Sequence, residues 1–129
     1  MLAYPYNNEG DSEMNEIVIE NKQPIILDNI QRLIKGMLER YHKNAGGLQK
    51  DFIVEEGKKY FKIIDGYVNQ DNGLLESRGV HAFVDKENGD LYKPASWRGP
   101  AKGVRANLIR DIEILEQRAD WAGGYLYRR

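Results

Sequence analysis

The stretch from Leu91 to Arg110, LYKPASWRGPAKGVRANLIR, holds five cations and no acid: Lys93, Arg98, Lys102, Arg105 and Arg110. Tyr92 and Trp97 stand among them, with Ser96, two Gly and two Pro. These residue types suit an anionic ligand that carries a planar ring. Arg grips phosphate through a two-pronged fork, while Lys acts as a point charge. An aromatic face, from Trp97, Tyr92 or Phe83, stacks on a base for about 1–3 kcal/mol. Free backbone N–H groups at a helix start add to the attraction for phosphate. The same residues also suit an ordinary solvated turn and helix, so both readings stand at this point. Neither a P-loop nor a Rossmann fingerprint is present.

Chemistry beyond binding has thin support. The chain has no Cys, which removes disulfides, thiolate nucleophiles, zinc fingers and iron–sulfur clusters. Its two histidines, His42 and His81, lie far apart, and neither a Gly-x-Ser-x-Gly nor a His-Glu-x-x-His motif occurs. Side chains alternate along a strand, so His81 and Phe83 are expected on one face, within reach of a ligand. A structural role for His81 remains the stronger reading. The carboxylates are many and scattered, and no acid–base pair stands out. The expectation is a site without catalytic residues, metal or cofactor.

The elements that position these residues follow from periodicity. Ile26, Ile30, Leu33, Ile34, Met37, Leu38 and Tyr41 recur at three- and four-residue spacing and share one helical face. The helix is predicted over 28–44, with Asp28 and Gln31 as a capping box and Asn44, Gly46 and Gly47 as the stop. Phe52–Val54 and Lys59–Ile64 read as strands around a short Gly57 loop. Asp65 to Gly79 reads as a long loop or a wide hairpin end. Val80–Asp85 and Asp90–Lys93 flank Asn88-Gly89, the strongest hairpin signal in the chain, and Pro94 ends the second strand. After Pro100, Val104, Leu108, Ile112 and Leu115 predict a helix with a break near Asn107. Trp121 to Tyr127 is expected to add a last strand or to pack across the sheet. The fold class is α+β: an antiparallel sheet with an N-terminal amphipathic helix and a C-terminal helix packed on it.

At 129 residues the chain has the size of one domain. Hydrophobic residues make up 41%, and the 13 Gly bring the total near half, which excludes wholesale disorder. A formal charge of -1 excludes the overall basic field of a non-specific nucleic-acid binder. Residues 1–22 read as an acidic arm, with Glu9, Asp11, Glu13, Glu16 and Glu20 and no cation before Lys22; a single ligand-binding domain is expected over 23–129. The N-terminal residues lack the pattern of a signal peptide, and no apolar run reaches the roughly 20 residues of a spanning helix. A soluble cytoplasmic protein is expected.

Several blocks together carry a resemblance. They are Val80 to Asp85, Gly89-Asp90, Tyr92-Lys93-Pro94-Ala95-Ser96-Trp97 and Pro100 to Arg105, preceded by Glu56 to Tyr60 and the leading helix. Over residues 28 to 110 this layout resembles the first Thoeris anti-defence family of bacteriophages, proteins that sequester nucleotide immune signals. The resemblance implies a sponge that binds glycocyclic ADP-ribose, or a cyclic oligonucleotide, without cleaving it. It further implies a homo-oligomer, a dimer or hexamer, in the host cytoplasm during infection. An aromatic and arginines around adenine and phosphates make Phe83 and Arg105 or Arg110 the carried-over contacts. With the residue-level reading, the expected ligand contacts are Phe83, Lys93, Trp97, Arg98, Lys102, Arg105 and Arg110. The alternative is a phage nucleic-acid or protein-interaction module that uses the basic 91–110 segment, and an enzyme acting on nucleotides ranks third.

Overall fold

A computed structural model describes residues 21–44 and 47–127. Helix α1 (Gln23–Asn44) leads into strands β1 (Lys50–Glu56), β2 (Tyr60–Val68), β3 (Leu75–Asp85), β4 (Asp90–Tyr92) and β5 (Ala106–Asn107). Helix α2 (Ile112–Arg118) and a 3-10 turn over Gly124–Tyr127 follow. The strands form one antiparallel sheet in the order of the chain, so the α+β expectation is met. The acidic arm, apart from Asn21 and Lys22, lies outside the described residues.

Helix α1 starts five residues before the predicted Asp28. Its first turn contains Pro24, whose missing N–H is no loss there, and the Asn21 Oδ1 accepts the Gln23 N–H at 3.0 Å. Along α1, Ile26, Ile30, Leu33, Ile34, Met37 and Tyr41 are buried, as their spacing predicts. They meet Phe52, Phe61, Ile63, Ala82, Val84 and Leu91 on the inner face of the sheet. Leu108, Ile112, Leu115, Ala119 and Leu126 complete the core from the C-terminal segment. The stripe is therefore covered within the chain.

The polar 65–79 stretch is more regular than its composition suggests. β2 continues to Val68 and β3 begins at Leu75, leaving a tight turn between them. Asn69 Oδ1 accepts the Asp71 and Asn72 N–H groups at 2.8 and 3.1 Å, and Gly73 takes a positive φ of 74°. The Asn88-Gly89 hairpin forms as predicted, with Gly89 at φ 83°.

The helix predicted after Pro100 is shorter than expected. Ala106–Asn107 instead pair with β4, and helix begins only at Ile112. Asn107 explains the change. Its Oδ1 accepts the Ile109 and Arg110 N–H groups, both at 2.9 Å, which competes with a helical ladder through this residue. Leu108, Ile112 and Leu115 are buried all the same, whereas Val104 is 48% exposed. Trp121 to Tyr127 forms no strand; it turns at Gly123 and ends in the 3-10 turn, burying Leu126.

Three polar anchors tie α1 to the C-terminal segment, one of them the exposed fork of Arg32 on Glu116 at 2.6 and 2.7 Å. Arg40 donates to the Glu116 carbonyl at 2.8 Å and to the Ala119 carbonyl at 3.0 Å, satisfying groups at the end of α2. Buried Asn29 donates its Nδ2 to the Leu108 carbonyl at 2.8 Å. Asn29→Ala strands that carbonyl in the core, and urea denaturation is expected to show a loss of about 1–3 kcal/mol with an unchanged slope. An unmoved midpoint would mean that the carbonyl is satisfied by another group.

Candidate functional site

The two faces of the sheet are sorted by an irregularity in β3. Ile63 pairs with Ala82 but Ile64 pairs with Val80, so His81 is an extra residue without a partner of its own. A strand bulged in this way turns two successive side chains to one side. His81 and Ala82 accordingly both face α1. The expectation that His81 and Phe83 share a face is corrected: Ala82 and Val84 belong to the core, and Phe83 lies on the outer face.

His81 is a core residue. Its Nε2 is 2.8 Å from the Tyr125 hydroxyl, and its ring stands edge-on to Phe52 with centroids 5.3 Å apart. Burial lowers its pKa to about 4, against a weaker upward pull from Asp120 and a small downward push from Lys50. The Tyr125 phenol is pushed up, chiefly by the same burial.

The outer face carries a row of paired residues across four strands: Glu55 on β1, Lys62 on β2, Phe83 on β3 and Tyr92 on β4. Tyr60 stands edge-on to both Phe83 and Tyr92, at 5.8 and 5.9 Å. Lys62 Nζ lies 5.8 Å from the Phe83 ring centre. Phe83 itself is only 2% exposed. It is a wall of the site rather than a free stacking surface.

The free surface is Trp97. Residues Lys93 to Ala101 fold back on themselves through a Pro94–Pro100 bridge, with Ala101 donating to the Lys93 carbonyl at 2.8 Å and Ala95 to the Gly99 carbonyl at 3.0 Å. Ser96 Oγ accepts the Arg98 N–H at 3.1 Å and shapes the tip. This loop holds Trp97 near Lys62 Nζ at 4.8 Å and Arg78 at 5.7 Å, while leaving the indole 45% exposed. Arg98 lines the neighbouring hollow of about 220 Å³ with Tyr60, Lys62 and Phe83.

Charge in this hollow is biased to the positive. Glu55 is 3.2 Å from Arg78 and Glu56 is 2.5 Å from Lys86. The ion pairs among the described residues leave Lys58, Lys59, Lys62 and Arg98 outside them. The arrangement offers cations and an aromatic face together, with both nearby carboxylates engaged. It can hold an anionic ligand with a ring.

Of the expected contacts, Phe83, Trp97 and Arg98 are brought together here. Lys93 lies over Tyr127, 4.5 Å from its ring centre, and Arg105 lines a separate cleft beside α2. Arg110 forks onto Asp111 at 2.9 and 2.7 Å, holding that carboxyl below its usual range, and Lys102 is exposed with no contact to the group. Tyr60, Lys62 and Arg78 were missed as site residues because the signal for them is cross-strand register, and local charge counting does not carry it. Among the described residues, no group of three or more His, Asp or Glu side chains is arranged to hold a metal ion. No described helix is long and apolar enough to cross a membrane.

The chain belongs to a family of unknown function, DUF7717, whose model matches residues 3–128. No curated protein and no solved structure matches it.

The buried histidine gives a pH prediction. A folded-state pKa lowered to about 4 means that the native state prefers neutral His81. Its contribution is fully present above the unfolded value near 6.5 and is lost as pH falls through that value toward 4, by up to roughly 3 kcal/mol. His81→Gln keeps a neutral hydrogen-bonding group beside Tyr125, so its stability is expected to fall less between pH 7 and 4. Parallel pH curves for the two proteins, measured by chemical denaturation, would contradict this.

Proposed function

We propose that this protein binds a nucleotide-type ligand on the outer face of its sheet and holds it without chemical change. The observation that carries the reading is the half-exposed Trp97 indole, set beside Arg78 and beside Lys62, which also lines the neighbouring hollow with Lys58 and Arg98. An indole face suits a base, and Lys62, Arg98 and Lys58 are placed to meet phosphates. Because Glu55 and Glu56 are engaged by Arg78 and Lys86, the hollow offers a ligand's phosphates little repulsion.

The blocks that resemble the first Thoeris anti-defence family include Phe83 and Trp97, and they support a narrower version. On it, a phage-encoded protein sequesters a cyclic ADP-ribose-type or cyclic oligonucleotide immune signal in the host cytoplasm. A second reading draws on the same residues: an exposed aromatic beside cations on a sheet face is also how single-stranded nucleic acid is held.

Titration calorimetry with a panel of cyclic dinucleotides and ADP-ribose cyclic isomers separates the two. Binding of one panel member is expected, weakened by about 1–3 kcal/mol in Trp97→Ala. Lys62→Gln is expected to cost about 1.5–3 kcal/mol, as the loss of a charge-assisted contact. The ligand recovered after heat denaturation is expected to be intact. Recovery of a linear or dephosphorylated product would replace sequestration with catalysis. Failure of every panel member, with salt-dependent binding of a single-stranded oligonucleotide, would favour the second reading.

A further inference from the structure

A second cleft lies on the opposite side of the sheet's far edge, where β4 and β5 meet α2 and the 3-10 turn. It encloses about 260 Å³. Its floor is apolar, with Leu91, Leu115 and Leu126 all buried in the core. Tyr125 adds to the lining; its hydroxyl is engaged by His81, so what it offers the cleft is its ring.

Two arginines line this apolar space. Arg105 follows Gly103, whose φ of 100° turns the chain, and its backbone N–H is fixed on the Leu91 carbonyl at 2.8 Å. Its Nε is buried and has no hydrogen-bond partner. A buried donor left unmade costs about 1–3 kcal/mol, so such a group is expected to be satisfied when its ligand is present. Arg118 lines the cleft from α2, and neither arginine belongs to an ion pair among the described residues. The acid at the rim, Asp111, is neutralised by the fork of Arg110 and by the Asn107 N–H at 2.9 Å. Local charge is positive against an oily wall.

We propose that this cleft binds a small organic monocarboxylate with an aryl or branched aliphatic body, its carboxylate taken by Arg105 and Arg118 and its body by the leucine floor. The planar guanidinium matches a carboxylate in two-pronged fashion. The apolar floor disfavours a bare inorganic anion or a polyphosphate, whose oxygens would lose water without replacement. This site shares no residue with the outer face, and it stands or falls independently of the reading given above.

The test is an NMR titration of the whole chain with phenylpropionate and with its neutral amide, phenylpropionamide. Phenylpropionate is expected to shift the backbone amides of Leu91, Ala106 and Leu115, and the amide probe to bind at least tenfold more weakly, the scale of one charge-assisted bond. Arg105→Gln is expected to weaken the carboxylate about tenfold and Arg105→Lys by less, since charge survives without the fork. Arg118→Gln gives a second route should Arg105→Gln not fold, which the spectra themselves reveal. Trp97→Ala is expected to leave phenylpropionate binding unchanged. Equal binding of acid and amide, no shifts at millimolar probe, or shifts confined to Lys62, Phe83 and Trp97 would each overturn the proposal. Inorganic phosphate moving the same amides as strongly as phenylpropionate would overturn it too.

Discussion

The pairing of β2 with β3, and the residue inserted in it at His81, decides which side chains around Ala82 and Phe83 belong to the core and which to the surface. Side chains repeat every two residues along a strand, so one inserted residue reverses the faces of everything beyond it. Here it lets His81 and Ala82 both turn toward α1, and it leaves Phe83 on the outer side opposite Lys62. The imidazole is then buried where a charge is costly, and the Tyr125 hydroxyl supplies its partner at 2.8 Å. That bond draws the C-terminal segment across the inner face, where Leu126 seals the core. Sheet register, C-terminal packing and outer face are one linked arrangement.

The two faces then do different physical work. Inside, α1 lays a stripe of large aliphatic side chains on the sheet, and its few polar groups are matched: Asn29 with the Leu108 carbonyl, Arg40 with the end of α2. Outside, no helix among the described residues covers the sheet. Lys62, Tyr60 and Phe83 fill the surface, and the Pro94–Pro100 loop lays Trp97 and Arg98 over it. A chain whose formal charge is -1 thus keeps a locally positive hollow, because its acids lie elsewhere or are already paired. Net charge says little about such a site. Placement says more.

Much of the fold was legible because it rests on local period and turn chemistry. The α1 stripe, the strand cores, Asn88-Gly89 and the stop at Pro94 all follow from residues within a few positions of one another. What failed was set by distance in sequence or by competition. The apolar period from Val104 to Leu115 is real, yet Asn107 offers its own backbone a turn, and β4 offers Ala106 a strand partner. The bulge at His81 leaves no mark in the strand's composition. For the candidate site, charge counting found Trp97 and Arg98, whose loop is local, and grouped them with Arg105 and Arg110, which the fold sends elsewhere. Lys62 was invisible to it, since only pairing with Phe83 puts it there.

The central claim is that a nucleotide sits against Trp97, and the two tryptophans of the chain make a direct probe of it. Trp97 is exposed beside Lys62, whereas Trp121 packs edge-on against Tyr41 with centroids 5.5 Å apart, away from the outer face. Their indole N–H signals can be followed separately by NMR as a cyclic dinucleotide or a cyclic ADP-ribose isomer is added. The account predicts that the Trp97 indole and the Lys62 and Phe83 amides shift together while the Trp121 indole stays in place. A ligand that binds with the Trp97 signal unmoved, or with Trp121 moved instead, would contradict it.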